Sequence, residues 1–526
     1  MPRLAVPVRP SGAPGAGGRV WGVTTHHPAA VIILAAGQGT RMRSRLPKVL
    51  HRIGGRSLVG HAMAAAREVG AEHTVVVVRH ERDLVAAHVA EVDASVTIAD
   101  QDEIPGTGRA CECGLDALPA DLTGTVLVTM GDVPLLEAST LAELTRIHEE
   151  AGAAVTLLSA VVDDAGNYGR VVRDAEGNLL QIMERKDAED HRVKGSEFAH
   201  VLDIGEYNSG IYAFDVEVLR SALGRITASS VTQEKYLTDV VKLAREEGRT
   251  VLAHPLAGPA LVQTEGVNDK VQLAELGRVL NARNVERHMR EGVIIVDPAT
   301  TWIDVDVSIG QDTVIRPHTQ LLGATTVGED AVIGPDTTLS DTLVGDGASV
   351  VRTQAEHAVI GRRATVGPFS YLRAGTSLGE GGKIGGFVET KNAQIGAGAK
   401  VPHLTYCGDA TIGEGANIGA GTIFANYDGV NKHHTHVGRY SFVGSDSVLV
   451  APGDIGDGAY VAAGSTVEGV VEPGQIAVAR GRQRNIDGWV ARRRAGTPTA
   501  EAADAAQARG ARHVEDQSTP TPTQES

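Results

Sequence analysis

An α/β domain built on a mostly parallel sheet, followed by a parallel β-helix, is the fold class that this sequence predicts. Three patterns carry the prediction. From about residue 305 to 470 an aliphatic residue returns at every sixth position: Ile309, Ile315, Leu321, Val327, Ile333 and Leu339, then Ile360, Val366, Leu372, Leu378 and Ile384, then Val437, Val443, Leu449, Ile455, Val461 and Val467. Most are followed by glycine or another small residue. A period of six fits neither a helix, near 3.6, nor the alternation of a strand. It fits hexapeptide repeats, whose short strands wind a triangular β-helix with the aliphatic residue inward. Before the repeats, apolar runs alternate with helix-patterned stretches, as in a parallel sheet covered by helices. Between the two lies a helical stripe, Val271, Leu276, Val279, Leu280 and Val285, interrupted only by Gly277. It reads as a connecting helix over residues 268–291.

Composition narrows the class. A chain of 526 residues with 42% hydrophobic content can bury several cores, and aromatics at 3% suit thin solenoid walls. The net charge of −16 argues against nucleic acid as a partner while leaving room for a local basic pocket. No apolar run reaches the length of a membrane span. Residues 1–28 carry Arg3, Arg9 and Arg19 but are broken by proline and glycine. A disordered extension or a misassigned start is expected there, not a secretory signal. Three cysteines in so long a chain point to a reducing, cytoplasmic setting, with Cys111 and Cys113 as structural thiols. From about residue 491 the chain turns to Ala, Glu, Asp, Thr, Pro and Gln, which predicts a disordered tail to residue 526.

Taken in order, the first element is the run Val31-Ile32-Ile33-Leu34, which feeds the turn Ala35-Ala36-Gly37-Gln38-Gly39-Thr40-Arg41-Met42. A buried strand ending in a glycine-rich loop brings backbone N–H groups against phosphate. The dinucleotide pattern fails because Met42 holds its third glycine position, and the Walker pattern is absent. Instead Arg41 and, after Pro47, Lys48 supply cations. Helices are expected near residues 58–69 and 84–92, and strands at 74–78, 94–98, 125–129 and 153–160. Ligands of such sheets bind beyond the carboxyl ends of the strands, so the loops there matter most. Gln101 and Pro105-Gly106-Thr107-Gly108 follow one strand, and Met130-Gly131-Asp132 follows the next. A carboxylate at a strand end suits Mg²⁺, which keeps several waters and takes few protein ligands.

The first loop, together with Pro47-Lys48, resembles the signature of the sugar-nucleotide pyrophosphorylases. The resemblance implies a Rossmann-like nucleotidyltransferase domain over residues 29–267. Leu34, Ala35, Ala36, Gly37 and Lys48 would then meet the nucleotide, and Gln101, Gly106 and Thr107 the uracil. Met130, Gly131 and Asp132 would stand beside them. Gly169, Glu184 and Asn208 would hold the sugar and its N-acetyl group, and Asn268 would join Asp132 as a Mg²⁺ ligand. Arg41 and Lys48 would be catalytic by neutralising charge. An anionic sugar phosphate needs no base, and its repulsion from the triphosphate is the barrier.

The repeats resemble the hexapeptide-repeat acyltransferases, which are left-handed β-helices, use acetyl-CoA and assemble as trimers. Arg373, Lys391, His403, Tyr406, Asn417, Asn426, Tyr427 and Ser445 match, in order and spacing, the acetyltransferase half of the bifunctional enzymes that join both activities in one chain. That resemblance implies a second active site within residues 292–490. Arg373, Lys391, Tyr406 and Asn417 would hold a sugar phosphate by charge-assisted hydrogen bonds. Ala420, Asn426, Tyr427, Ser445, Ala463 and Arg480 would lie along acetyl-CoA. The attacking amine must be neutral, and a base that titrates near neutrality suits that task, which makes His403 the candidate. Ala374 stands where that family usually has proline, and Phe424-Ala425 vary the loop before Asn426. His433, His434 and His436 are read as loop residues, since no carboxylate or cysteine stands at ligand spacing. The chain would acetylate glucosamine-1-phosphate, then transfer uridylyl from UTP to the product, as a homotrimer. The alternative is a single-activity nucleotidyltransferase whose repeats only oligomerise. A scaffold that binds sugar nucleotides without turnover is a third reading.

Overall fold

The computed structural model describes residues 26–517 except Glu197 and Ser230, with side chains described to residue 509. Most of the expected N-terminal extension and the end of the tail, residues 518–526, therefore lie outside the described residues. The chain forms two compact units, one through Asn392 and one from Ala393. The divide falls inside the repeats, not at the connecting helix, and packing explains why. Met42, Ile53, Leu58, Leu135, Val267, Leu276 and Leu280 form one apolar cluster with Val305 against it, so helix and first rungs are welded to the α/β domain.

The sheet of the first unit runs Val251–Leu256, Val155–Val161, Glu206–Asp215, Thr125–Met130, Ala30–Leu34, His73–Val78, Thr97–Asp100. Neighbours pair in parallel except Glu206–Asp215, which is antiparallel to both flanking strands. Ala30–Leu34 is buried along its whole length, which accounts for an unbroken apolar run where a one-faced strand would alternate. The helices Leu58–Glu68 and Arg82–Val92 stand close to where the sequence places them. The strand expected at 94–98 lies later, at Thr97–Asp100. Asp93 Oδ1 accepts from Ser95 N at 2.9 Å and Ser95 Oγ at 2.6 Å, a local turn that competes with extended backbone.

From Ala30–Leu34 the chain moves one way to His73–Val78 and Thr97–Asp100, then crosses back to Thr125–Met130 on the other side. The order reverses between Ala30–Leu34 and Thr125–Met130, the topological switch point at which such sheets bind ligands. Gly131 N donates to Leu34 O at 2.9 Å, so the two loops leave together.

The connecting helix spans Lys270–Arg290, its first turn capped by Asp269, which accepts from Val271 N and Gln272 N. Beyond it, every third short strand pairs in parallel. Val314–Ile315 meets Val332–Ile333, which meets Ser349–Val350, then Thr365–Val366, then Lys383–Gly386. A stride of three strands is a three-sided coil. In the second unit Asn417–Ile418, Phe442–Val443, Tyr460–Val461 and Ile476–Ala477 also pair in parallel, with the longer strands Val448–Ile455 and Thr466–Val471 each running between successive members. Each unit carries a stretch of left-handed parallel β-helix, with the six-residue aliphatic column buried inside it from Ile315 onward and Ile309 half-buried at its start.

Within the tail, where disorder is expected from residue 491, the described residues form the helices Trp489–Arg493 and Pro498–Gln517. A shortage of large apolar side chains denies the tail a core, but its alanines favour helix locally and Pro498 suits the first helical position. Arg494 lies over the Trp489 ring at 5.2 Å. Among the described residues no helix is long and apolar enough to cross a membrane.

Candidate functional site

The loops at the switch point enclose a cavity of about 250 Å³. Its walls bring together Leu34, Thr107, Met130, Asp132, Gly169, Glu184, Asn208 and Asn268 from the expected set. Ala35, Ala36, Gly37, Arg41, Lys48, Gln101, Gly106 and Gly131 stand in the adjoining loops instead. Asn167, Tyr212, Leu237 and Thr238 also line the cavity and were not expected. Tyr212 could have been found, because it shares the face of Asn208 by strand alternation.

The glycine-rich loop closes on a 3₁₀ turn, Thr40–Met42, entered by Gly39 at φ 62°. A Cβ at Gly39 would lie 2.5 Å from Lys48 Cβ, so glycine there lets the lysine stem pass. Lys48 Nζ is paired with Asp132 Oδ2, and Arg41 Nη2 donates to Asn268 Oδ1 at 2.7 Å. Val267 N donates to Asp132 O at 2.9 Å, which ties the Asn268 loop to the Asp132 loop. Asp132 and Asn268 offer the hard oxygen donors that Mg²⁺ prefers. Each oxygen is already matched to a cationic side chain, so positive charge is favoured at both, and the donor set fits the ion.

In the loop that follows Thr97–Asp100, Gln101 Nε2 donates to Ile104 O at 2.9 Å and Gly106 O at 3.3 Å, folding the loop back. Gly106 has φ 115°, and a Cβ there would lie 2.1 Å from Lys235 O. Gly108 N donates to Lys235 O at 2.8 Å, and Leu237 N to Thr107 Oγ1 at 3.1 Å. The loop is thereby locked onto the segment before Asp239–Glu246.

On the opposite wall, Asn208 Oδ1 accepts from Gly210 N and from Tyr212 OH, both at 2.8 Å. A Cβ at Gly169 would lie 3.3 Å from both carboxylate oxygens of Glu184, so the glycine leaves those oxygens room. Burial, and then the neighbouring Asp187, push the Glu184 carboxyl up to about 7.

The expected acetyltransferase residues divide between the units. In the first, Leu372 pairs with Thr390, which sets Arg373 and Lys391 at matching positions on neighbouring coils. Arg373 is bonded to Glu389 at 3.0 Å. In the second, His403 is exposed, and its carbonyl accepts from Thr405 Oγ1 at 2.8 Å and Gly421 N at 3.2 Å. Asn426 Nδ2 donates to Asp409 Oδ2 at 2.6 Å and lies 3.4 Å from Tyr406 OH, so Asp409 orients a pair that the sequence had marked without it. Tyr427 OH donates to Gly429 O at 2.6 Å. Asn417 sits in the ladder, paired with Lys400 and Phe442. Ala420, Ser445 and Ala463 make a column of small residues: Asp446 N donates to Ala420 O and Gly464 N to Ser445 O, both at 2.8 Å. Arg480 is exposed just beyond Ile476–Ala477. His433 pairs with Asp428 at 2.7 Å, His436 with Asp454 at 2.9 Å, and His434 meets Thr411 Oγ1 at 2.9 Å.

Residues 31–192 match the model of the MobA-like NTP transferase domain. The chain is 56% identical over 481 residues to the bifunctional protein GlmU of Pseudarthrobacter chlorophenolicus, covering 91% of this chain and 96% of the relative. It is 55% identical to that of Micrococcus luteus, covering 92% and 98%, and 53% identical to that of Corynebacterium glutamicum, covering 91% and 97%. Identity of that order, carried through both the α/β sheet and the repeats, means that the chain belongs to the family of bifunctional GlmU proteins.

Proposed function

We propose that this chain makes UDP-N-acetylglucosamine in two steps: acetyl transfer from acetyl-CoA to glucosamine-1-phosphate, then uridylyl transfer from UTP to N-acetylglucosamine-1-phosphate with release of pyrophosphate. The observation that carries the reading is the convergence of the Lys48–Asp132 and Arg41–Asn268 pairs at a cavity that also holds Glu184 and Asn208. Residues 29–267 take the uridylyl step. Leu34, Ala35, Ala36 and Gly37 meet the nucleotide, Gln101, Gly106 and Thr107 the base, and Gly169, Glu184 and Asn208 the sugar. Arg41 and Lys48 neutralise charge as the sugar-phosphate oxygen attacks the α-phosphorus and pyrophosphate leaves. Asp132 and Asn268 would hold Mg²⁺, which when bound supplies further positive charge against the phosphates.

Residues 292–490 take the acetyl step. Arg373, Lys391, Tyr406 and Asn417 hold the sugar phosphate, and Ala420, Asn426, Tyr427, Ser445, Ala463 and Arg480 lie along acetyl-CoA. His403 accepts the amine proton as nitrogen attacks the thioester carbonyl and CoA departs. The protein works in the cytoplasm as a homotrimer, without nucleic-acid or membrane partners.

Mass spectrometry of one reaction containing glucosamine-1-phosphate, acetyl-CoA, UTP and Mg²⁺ tests both steps. UDP-N-acetylglucosamine together with free CoA is expected. Nucleotide sugar that forms only when N-acetylglucosamine-1-phosphate is supplied would reduce the repeats to an assembly module. No nucleotide sugar under either condition would overturn the reading entirely.

A further inference from the structure

Arg170 opens the strand Arg170–Arg173, directly after the cavity residues Asn167, Tyr168 and Gly169. It does not line the cavity itself, and it is only 3% exposed. A cation removed from water is costly unless a carboxylate compensates it, and among the described residues none is bonded to this guanidinium. Its Nη1 donates instead to Tyr168 O, and its Nη2 to Gly166 O at 3.1 Å. Its Nε is buried without a partner among the described residues. Burial, and then the nearby Arg185, lower its pKa.

Arg185 takes hold of the same loop, donating through Nη1 to Gly166 O at 2.9 Å and Asn167 Oδ1 at 2.6 Å. The far end of the loop is fastened by Asn208 N, which donates to Gly169 O at 2.9 Å. Asp164 favours the charge only from a distance, so a buried cation bonded to two backbone carbonyls and to no carboxylate adds little to stability alone. Its effect is to fix a wall of the cavity.

We propose that Arg170 is a positioning residue for the sugar-phosphate acceptor: its two-armed guanidinium holds the carbonyls of Gly166 and Tyr168, and so sets the Asn167–Gly169 wall against which the acceptor lies. The inference rests on reading the cavity as the acceptor site of uridylyl transfer. A purely structural role and a positioning role differ in what they predict for Arg170→Met. Methionine removes the cost of a buried charge to which no carboxylate is bonded, and Gly166 O keeps its bond from Arg185 Nη1 at 2.9 Å. We therefore expect Arg170→Met to keep its Tm, to raise KM for N-acetylglucosamine-1-phosphate about tenfold and to leave KM for UTP within about twofold. Lysine keeps the charge but cannot span two carbonyls, so Arg170→Lys should raise the acceptor KM by about three- to fivefold. Acetyl transfer by the same variants should remain at the parental rate. An unchanged acceptor KM in Arg170→Lys, or an equal rise in both KM values, overturns the proposal. Arg170→Lys decides the matter alone if Arg170→Met does not fold. Failure of the parent protein to transfer uridylyl would refute the reading of the cavity, a distinct result.

Discussion

Glu184 shows how a single buried carboxyl links the pocket to pH. Its ordinary value of 4.5 is raised to about 7, first by burial and second by Asp187. The folded chain therefore binds that proton more tightly than the unfolded chain, and stability falls as pH rises from 4.5 to about 7. The loss is on the order of 3 kcal/mol and is complete above the upper value. Glu184→Gln abolishes the titration, so its Tm relative to the parent should climb between about pH 5 and 7.5. Parallel melting curves across that range would sink the assignment of burial as cause. Hydroxyl and N–H donors of a sugar favour the carboxylate form, so acceptor binding should release a proton and the acceptor KM should fall from about pH 6 to 8. A flat profile in the parent protein would remove Glu184 from the acceptor site. Gly106 makes the complementary case for backbone. An alanine Cβ would meet Lys235 O at 2.1 Å, at a φ of 115° that side chains rarely adopt. Gly106→Ala should cost at least about 2 kcal/mol and raise KM for UTP more than KM for the acceptor. Equal effects on both would show that the loop serves the whole cavity and not the base.

At the scale of elements, the repeats were legible because an inward column must recur with the period of the coil, whatever the loops do. Even the slip in stride after Leu339 has a structural meaning. Val314 pairs with Val332, but Thr326 pairs with Leu343 and Ser349 with Thr365, so the later coils are one and two residues shorter. The switch-point loops were legible too, since glycines and charges mark strand ends. What stayed hidden depends on long-range packing or purely local bonds. Leu237 and Thr238 reach the cavity through the Thr107 and Gly108 contacts, which no spacing reveals. The Asp93–Ser95 turn delays a strand, and the alanine-rich tail makes a helix without any core. The coil itself yields a prediction. Leu372 is fully buried next to Arg373, so Leu372→Ala should cost about 2–5 kcal/mol and depress acetyl transfer more than uridylyl transfer. Leu343 is 51% exposed on the outer surface, so Leu343→Ser should change stability by less than about 0.5 kcal/mol. Thermal melts with both activities measured in parallel would decide this, and equal losses in the two variants would mean that the column does not carry the coil.

At the scale of the whole molecule, the two chemistries ask for different physics, and the chain supplies each from a different part of its length. Uridylyl transfer needs fixed positive charge and no base, and Lys48, Arg41, Asp132 and Asn268 meet within one unit. Acetyl transfer needs a proton acceptor, and His403 stands exposed in the other. The reading therefore requires that the activities be separable by single substitutions. His403→Ala should lower acetyl transfer by about two to four orders of magnitude and leave uridylyl transfer from supplied N-acetylglucosamine-1-phosphate intact. Asp132→Ala removes a charge partner of Lys48 as well as a proposed metal donor, so it should abolish uridylyl transfer while CoA release continues at the parental rate. Mixed in one vessel with glucosamine-1-phosphate, acetyl-CoA, UTP and Mg²⁺, the two variants should together restore UDP-N-acetylglucosamine, because the intermediate is a free small molecule. If His403→Ala retains full acetyl transfer, the base must be sought elsewhere. If the mixture yields nothing although each variant keeps its remaining activity, the intermediate does not pass through solution, and the two steps are coupled within one assembly.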